Sequence, residues 1–310
     1  MERMKKFDYS KFKSQKSQSA MEYLMTYGWA ILIIAIVLVA LFSLGIFNSA
    51  NFAPRAQPGS CQVIKTSAQT SLAGQCNGML PEYVGVMNNG YITLYTNPGD
   101  FLPSYTFNFW VYPKAYPAQI ISEYAGISQQ APGCSFYYVT LNTVTYMGTW
   151  NRGNWIFSSF PNSVAPLNSW SMVTVTLTGG GNGVGTLSVY IDGGSPDTVA
   201  SQEIYSQSLS TYNDPGSVIG ISGSGCPGAY TGGGINGSLA NLQFYNTTLS
   251  QSEITALYQE GIGGAPININ NLVGWWPLNG NANDYSGNGN SGTATNVIYT
   301  SAWTSGYSTP

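Results

Sequence analysis

The chain has 310 residues, no histidine, ten lysines and arginines, and thirteen aspartates and glutamates, and only 7% of its residues are charged. The lack of histidine removes the usual general base, the Ser-His-Asp triad and most catalytic zinc sites. The length is sufficient for a membrane anchor together with one large all-β domain or two small ones.

The first predicted element is an apolar helix over Trp29–Phe47, nineteen residues without a charged side chain. A helix of that length measures roughly 28 Å, close to the hydrocarbon thickness of a bilayer. Residues 1–17 contain six basic and two acidic side chains, whereas residues 56–310 contain three basic and ten acidic ones. Because positively charged flanks stay in the cytoplasm, we predict a single-pass cell membrane protein, in contact with membrane lipid, with a cytoplasmic N-terminus and an extracellular bulk. The alternative, a buried helix of a large soluble domain, does not account for this charge asymmetry.

The residues before this helix read KSQSAMEYL over 16–24. They resemble the class III signal peptide of archaeal type IV pilins and related surface proteins, which has a basic leader, a cut before Gln and a Glu at the fifth mature position. The resemblance implies that a prepilin-type peptidase cleaves between Ser17 and Gln18, with Ser17 in the place of the more usual Gly. It also implies that Glu22 pairs with the new α-amino group of a neighbouring subunit. The alternative is a Glu22 that lies among the lipid headgroups.

All four cysteines follow the apolar helix in the chain, on its predicted extracellular side. An even number of cysteines in an extracellular domain favours disulfides, and four cysteines allow three pairings. We predict Cys61–Cys76, which closes a short loop, and Cys134–Cys226, which joins distant strands. A metal site is the alternative, but no two cysteines have CxxC spacing. Residues 61–82 show little periodicity and are predicted to be an irregular segment held by the first pair.

Beyond residue 83, runs of alternating, β-branched and aromatic residues at regular spacing predict a β-sandwich. Asp192-Gly193 is a strong signal for a hairpin turn. The predicted strands are Gly90–Tyr95, Ser104–Tyr112, Ser135–Leu141, Asn154–Ser158, Ser169–Leu177, Thr186–Ile191, Ser217–Ile221 and Leu239–Tyr245.

One helix is predicted in this part of the chain, over Ser250–Glu260. Ser250 and Glu253 have the spacing of a capping box, and Gly261 stands where a helix commonly ends. One apolar stripe is expected to lie against a sheet edge. It consists of Ile254, Leu257 and Tyr258.

Four segments, SYTFNFWVYP, NSWSMVTVTL, GTLSVYIDGG and INGSLANLQFYNTTLSQSEITALYQEG, follow one another in the chain. As a set they resemble laminin-G-like, concanavalin A-like jelly rolls over residues 83–262. The resemblance implies a core strand with an inward Trp110, a second strand that begins at Trp170, and a capped helix that closes the domain. It also suggests a glycan as the ligand, by fold analogy alone.

A later segment, LVGWWPLNGNANDYSGNGNSGTATN over 272–296, resembles the first strand and following loop of the same domain. Either it begins a truncated second domain, or the jelly roll is circularly permuted and Val273–Leu278 fills the slot of the N-terminal strand. We favour permutation, because a lone strand with two adjacent tryptophans would expose a large apolar surface.

The loop of this segment carries candidate calcium ligands. Asp284, Ser286 and Asn288 stand at alternate positions, with Asn290 after a glycine, as in the first half of a calcium loop. The family resemblance also implies a structural Ca²⁺ near this loop. However, Thr295 stands where an EF-hand has its bidentate Glu, and the acidic ligand that often follows in the family's closing strand is missing. The alternative is a plain Asn/Gly turn.

A candidate carbohydrate site is formed by Trp150, Asn151, Asn154 and Trp155, which combine aromatic rings with amides on a hairpin-like turn. The alternative, that both tryptophans alternate into the core, is the more ordinary interpretation. Either way the residues belong to one turn of the predicted sandwich.

The sequence does not contain the residue patterns that hydrolysis requires. Concanavalin-like glucanases need two carboxylates that flank the bond, and the nearest pair here, Asp192 and Asp197, straddles a turn. Neither a nucleophile elbow nor a phosphate-binding loop is present, and the acidic outer part disfavours nucleic acid. We therefore predict that the protein is not an enzyme. Asn236 and Asn246 begin Asn-x-Ser/Thr triplets and are predicted glycosylation acceptors.

These observations define two functional hypotheses. One is an adhesion protein that forms a filament subunit or tip, a homo-oligomer that displays a lectin-like jelly roll. The other is a standalone membrane-anchored receptor for a glycan. The predicted organisation is a leader over 1–17, a pilin-like helix over 18–53, a linker with the cysteine pair over 54–82, a jelly roll over 83–262 and a segment over 263–310 that completes the sandwich.

Overall fold

The structure is a computed structural model. It describes residues 15–43, 61–76, 78, 80–94, 104–116, 118–119, 121–124, 134–141, 144–151, 154–179, 183–204, 216–220 and 235–310. The chain divides into two units, Met1–Pro54 and Arg55–Pro310, and each is described by itself.

The first unit contains helix α1 (Gln15–Ser43). Its large apolar side chains between Met25 and Val39 are 48–69% exposed, so they surround the helix instead of forming one covered stripe. Within the part of the chain that the structure describes, no helix is long and apolar enough to cross a membrane. The last four residues of the predicted span, 44–47, lie outside the described residues.

The second unit consists mainly of β-strands. It also contains helix α2 (Gln251–Glu260) and a 3-10 turn at Ile269–Asn271. The described strands are β1 (Cys61–Lys65), β2 (Thr70–Gly74), β3 (Val84–Leu94), β4 (Tyr105–Pro113), β5 (Ala118–Gln119), β6 (Ile121–Tyr124), β7 (Cys134–Leu141), β8 (Val144–Asn151), β9 (Asn154–Phe160), β10 (Ser171–Thr178), β11 (Gly183–Ile191), β12 (Asp197–Ile204), β13 (Gly216–Ile219), β14 (Asn236–Tyr245), β15 (Leu272–Trp276) and β16 (Gly292–Thr300).

Strands β1 and β2 pair only with each other, and the other fourteen form one sheet. Its order is β12-β11-β10-β4-β14-β3-β13-β6-β7-β8-β9, with β15 beside β14, β16 beside β3 and β5 beside β7. Core side chains of β10 and β11 belong to the same cluster as Met147 of β8 and Phe160 of β9. Strands from the two ends of the order therefore enclose one core, and the sheet forms the predicted β-sandwich.

The two faces of β4 have different neighbours, because successive residues of a strand alternate between faces. Phe107 and Phe109 lie in the core between the two layers. Trp110 lies on the opposite face, where its ring stacks on Tyr258 of α2 at 5.8 Å with the ring planes 17° apart. Trp110 is buried on a core strand, as expected, but it belongs to a second cluster of buried residues and not to the core between the two layers. This indole is buried, but by the helix that covers the outside of the layer.

Helix α2 begins with the predicted capping box. The backbone N–H of Ser250 donates to the Glu253 carboxylate at 2.8 Å, and the Ser250 hydroxyl accepts from the Glu253 backbone N–H. This backbone hydrogen bond lowers the pKa of Glu253. Ile254 and Leu257 are buried together with Trp110 of β4 and Met172 of β10, in a cluster of apolar side chains on the outside of this layer. The helix therefore covers a face of the sheet, and not an edge as expected.

The C-terminal segment lies in the same sheet. Strand β15 pairs with β14, and β16 pairs with β3 along nearly its whole length. After β16, Trp303 is 6% exposed and meets Trp170 edge-to-face at 6.1 Å. Tyr307 contacts the Trp303 ring at 5.6 Å. The tail thus completes the aromatic cluster on the outside of β4 and β10.

The segment predicted to be irregular forms the β1–β2 hairpin, with Cys61 opposite Gly74 and Lys65 opposite Thr70. The Cys61–Cys76 disulfide that the sequence predicted is present, with the two Cα atoms 5.1 Å apart. Alternation did not indicate these strands, because Val63 is the one residue of β1 and β2 that is fully buried. Burial there comes from docking on a distant loop, which a local pattern does not show.

Candidate functional site

The β8–β9 hairpin carries the residues predicted for a sugar site. Strand pairing is continuous up to its tip, where Trp150 lies opposite Trp155 and Asn151 opposite Asn154. The backbone therefore brings all four predicted residues together at one end of the hairpin.

Two buried residues identify the faces of this hairpin. Met147 is 4% exposed and Phe160 is fully buried, and both belong to the inner core. Residues two apart along a strand share a face, and directly paired residues do so as well. By this alternation, backbone positions 150 and 155 fall on the face opposite Met147 and Phe160, which we call the outer face, and positions 151 and 154 fall on the inner one. The side chains of Trp150 and Trp155 themselves lie outside the described part of the structure, so the interpretation in which they enter the core stays the alternative.

Two described aromatic residues lie on the same outer face. Phe157 is 54% exposed and is paired with Gly148, which has no side chain to cover it. The Tyr146 and Phe157 rings are 6.4 Å apart, edge-to-face at 82°. We call Tyr146, Trp150, Trp155 and Phe157 the outer aromatic face. The sequence indicates the two tryptophans of this face but not Tyr146 or Phe157, because only the alternation across the two paired strands identifies them.

A second group of predicted residues lies in the loop between β15 and β16, which Asp284 organises by accepting four hydrogen bonds. Its Oδ1 accepts from the backbone N–H of Trp275 at 3.0 Å and of Ser286 at 2.8 Å. Its Oδ2 accepts from the backbone N–H of Asn290 and from the Ser286 hydroxyl, both at 2.8 Å. A carboxylate has about four acceptor sites, and these contacts use all of them.

The predicted amide ligands act as donors to strand β15. Asn288 Nδ2 donates to the carbonyls of Leu272 at 2.9 Å and Val273 at 2.7 Å. Asn290 Nδ2 donates to the Val273 carbonyl at 2.8 Å. The alternate spacing of polar residues thus serves to fasten the loop to the strand.

The positively charged side chain of Lys65 contacts this loop. The Lys65 ammonium donates to the Leu272 carbonyl at 2.8 Å and to Asn288 Oδ1 at 3.0 Å. Burial lowers the pKa of Lys65, and the nearby Asp284 carboxylate raises it. Nothing in the sequence links these residues, because Lys65 and Asn288 are 223 positions apart.

The backbone of the β1–β2 hairpin also contacts the loop. The N–H of Val63 donates to the Tyr285 carbonyl at 2.8 Å. Gly287 has φ 79°, and a Cβ at this position would lie 2.6 Å from the Val63 carbonyl oxygen. Only glycine therefore permits both the turn and this approach.

A buried polar network that the sequence did not predict joins β14 to β15. Asn241 Oδ1 accepts from Trp275 Nε1 at 2.8 Å and from Gln243 Nε2 at 3.1 Å. Tyr245 donates to Gln243 Oε1 at 2.7 Å, and Asn241 Nδ2 donates to the Gly264 carbonyl at 2.8 Å. Amides in an otherwise apolar strand were the available signal. These hydrogen bonds position the two strands, and the groups of the network bond to one another or to the backbone.

The two carboxylates considered for hydrolysis bond to backbone amides. Asp192 Oδ1 accepts from the Met172 N–H at 2.8 Å, and Asp197 Oδ2 accepts from the Asn162 N–H at 3.0 Å. Burial raises the pKa of Asp192. Asp192 also forms the predicted hairpin turn together with Gly193, with φ of 52° and 67°.

The other predicted residues are not brought into either group. Cys134 begins β7, but Cys226 lies outside the described residues, so the second disulfide stays a prediction. Asn236 and Asn246 are both exposed, at the start and just after the end of β14. The predicted processing residues lie in the first two turns of α1, and they are Ser17, Gln18 and Glu22.

A family model described as Laminin_G_3, of the concanavalin A-like lectin/glucanases superfamily, matches residues 86–255. This match covers more than half of the chain, and the protein belongs to this family. The matched range does not include the class III leader, which remains a prediction. No curated protein matches the sequence.

Several solved structures are similar to the chain. A candidate carbohydrate binding protein from Bacteroides ovatus has 14% identity and a TM-score of 0.50, over 76% of this chain and 65% of its own, so the chain spans less than two thirds of that protein. The heptameric SAP-like pentraxin of Limulus polyphemus has 16% identity and a TM-score of 0.39, over 68% of this chain and 94% of its own. Mouse laminin alpha1 domains LG4-5 have 12% identity and a TM-score of 0.39, over 64% of this chain and 48% of their own. At 14% identity, the similarity to the Bacteroides ovatus protein shows a shared fold and nothing about function.

Proposed function

We propose that this protein recognises glycans at the cell surface through the outer aromatic face of its β8–β9 hairpin. The exposure of Phe157, on the face to which the register assigns Trp150 and Trp155, carries the proposal. Membership of the Laminin_G_3 family is consistent with a binding module.

Aromatic rings offer flat apolar surfaces to the apolar faces of sugar rings, and Trp and Tyr add a polar group at the ring edge. Several aromatic residues on one exposed face are unfavourable in water unless a ligand covers them. The outer face of the opposite layer is instead covered by α2 and the C-terminal tail. The β8–β9 face is therefore the better surface for a ligand.

Replacing Phe157 or Trp155 by alanine is expected to weaken glycan binding by up to about tenfold, because each removes one stacking surface of about 0.5–1.5 kcal/mol. Glycan-array screening of the purified full-length protein, followed by calorimetry with the best ligand, measures this. Ile298→Ala is the matched control, since Ile298 is 68% exposed on β16, outside the hairpin. Undiminished binding in both aromatic variants, or no glycan bound by the wild type, would overturn the proposal.

We further propose that Trp29–Phe47 anchors the protein in the cell membrane, with the N-terminus cytoplasmic and the β-domain outside. The charge-free run and the charge asymmetry around it support this. Cleavage between Ser17 and Gln18 would make the chain a pilin-like subunit or tip of a filament. The alternative is a single anchored receptor, and electron microscopy of the surface fraction separates the two by the presence of fibres.

The mature protein is expected to begin at Gln18. Mass spectrometry of the N-terminal peptide from the membrane fraction measures this. A Ser17→Trp variant should keep its leader, because a bulky residue replaces the small one before the cut. A mature wild-type protein that still begins at Met1 would contradict the leader assignment.

We also infer that the domain binds without hydrolysing and that its jelly roll is circularly permuted. The backbone hydrogen bonds of Asp192 and Asp197 support the first inference, because these carboxylates already have structural partners. The pairing of β15 with β14 supports the second, since it puts the segment that resembles the family's first strand inside the sheet.

A further inference from the structure

We propose that the Lys65 ammonium takes the place of a metal ion at the Asp284 loop, so that this loop folds and functions without calcium. The proposal goes beyond glycan recognition and does not depend on it. It concerns the part of the domain in which sequence spacing suggested Ca²⁺ ligands.

The side chains of the loop do not present the ligands that calcium requires. Ca²⁺ takes six to eight oxygen ligands. Both oxygens of Asp284, the one carboxylate in residues 281–291, already accept hydrogen bonds from the loop itself. The Asn288 and Asn290 amide nitrogens donate to β15 carbonyls, and those carbonyls are thereby used. A calcium ion would have to break this set of bonds.

Lys65 places a positive charge at this loop. Its Nζ lies 2.8 Å from the Leu272 carbonyl and 3.0 Å from Asn288 Oδ1, two oxygens of the kind that bind Ca²⁺. The ammonium also interacts electrostatically with Asp284. A divalent ion at the same oxygens would stand beside the ammonium and be repelled by it. The lysine and the metal ion are therefore alternatives.

The β1–β2 hairpin holds this ammonium in position. The Cys61–Cys76 disulfide closes the hairpin, and the Val63 N–H bonds to the Tyr285 carbonyl two residues from Lys65. Gly287 lets the two backbones approach. The position of the ammonium is therefore set by contacts within the chain and not by the ion content of the medium.

The test compares wild type, Lys65→Met and the control Lys114→Met by thermal unfolding of the full-length protein, in calcium and in EGTA. Lys114 is an exposed lysine elsewhere in the domain. We expect the wild-type Tm to be the same in both media, and the Tm of Lys65→Met to lie about 5 °C below that of Lys114→Met. A wild-type Tm that rises with calcium, or Lys65→Met as stable as its control, would overturn the proposal.

Terbium luminescence of the wild type provides a test that needs no variant. Tb³⁺ is a probe for calcium sites, and Trp275 and Tyr285, whose rings are 6.3 Å apart beside the loop, would sensitise its emission. We expect no saturable emission. Emission that saturates with Tb³⁺ and is displaced by Ca²⁺ would show a metal site, and the proposal would fail even if Lys65→Met does not fold.

Discussion

Replacing Trp303 by alanine is expected to lower the free energy of unfolding by about 3–5 kcal/mol, the usual cost of removing a buried tryptophan. The side chain is 6% exposed and contacts the rings of Trp170 and Tyr307. Its Nε1 donates to the Pro81 carbonyl at 3.1 Å, and its own carbonyl accepts from Trp170 Nε1 at 2.9 Å. The substitution leaves a cavity in the aromatic cluster outside β4 and β10, and the Pro81 carbonyl loses the indole N–H that it accepts from.

Urea unfolding followed by tryptophan fluorescence and by circular dichroism measures this change. Trp303→Phe should lose less, since it keeps a ring in the cavity but not the hydrogen bond to Pro81. Thr309→Ala is the control, because Thr309 is an exposed residue of the same tail. If Trp303→Ala lies within 1 kcal/mol of this control, the tail does not hold the domain together.

Replacing Asp284 by alanine is expected to cost about 2–4 kcal/mol, because it removes four hydrogen bonds to one charged group. The N–H groups of Trp275, Ser286 and Asn290 and the Ser286 hydroxyl lose their acceptor. The loop would then release β15 and the β1–β2 hairpin, both of which contact it. The effect is expected in calcium and in EGTA alike.

Asp284→Asn separates the shape of the side chain from its acceptor capacity. The amide nitrogen of Asn cannot accept, so two donors lose their partner and we expect about half of the alanine effect. Asn283→Ala is the matched control, since the Asn283 side chain is exposed at the neighbouring position. Equal unfolding midpoints for Asp284→Ala and Asn283→Ala would contradict the assigned role of the carboxylate.

Strands with a strong apolar alternation or a long buried run were predicted from the sequence. Strands β4, β10 and β14 bury nearly every residue, and the predicted strands Ser104–Tyr112, Ser169–Leu177 and Leu239–Tyr245 coincide with them. Strands β8 and β12 were missed, because both are rich in polar residues or glycine and are specified by their neighbours. The β1–β2 hairpin was missed for the same reason.

The candidate site was predicted in residue type but not in arrangement. The sequence drew attention to Trp150 and Trp155, but their face depends on the strand register and on Met147, whose burial is a tertiary property. Likewise, Asp284 and Asn288 were selected by their spacing, whereas their partner Lys65 lies on a hairpin more than two hundred residues earlier. Long-range pairing of this kind leaves no mark in local composition.

The disulfide at the entry to the β-domain has a mechanical consequence. The chain enters at Cys61, and the covalent bond to Cys76 bridges fifteen positions. A pulling force applied from the N-terminal side would be carried from Cys61 to Cys76 by the disulfide. The β1–β2 hairpin between the two cysteines would therefore not unfold and lengthen the chain. The strain would pass instead through Cys76 to the strands of the sheet that follow it in the chain. If the protein is anchored at the cell surface by its N-terminal segment, as we propose, the length of its tether would not change through unfolding of this hairpin.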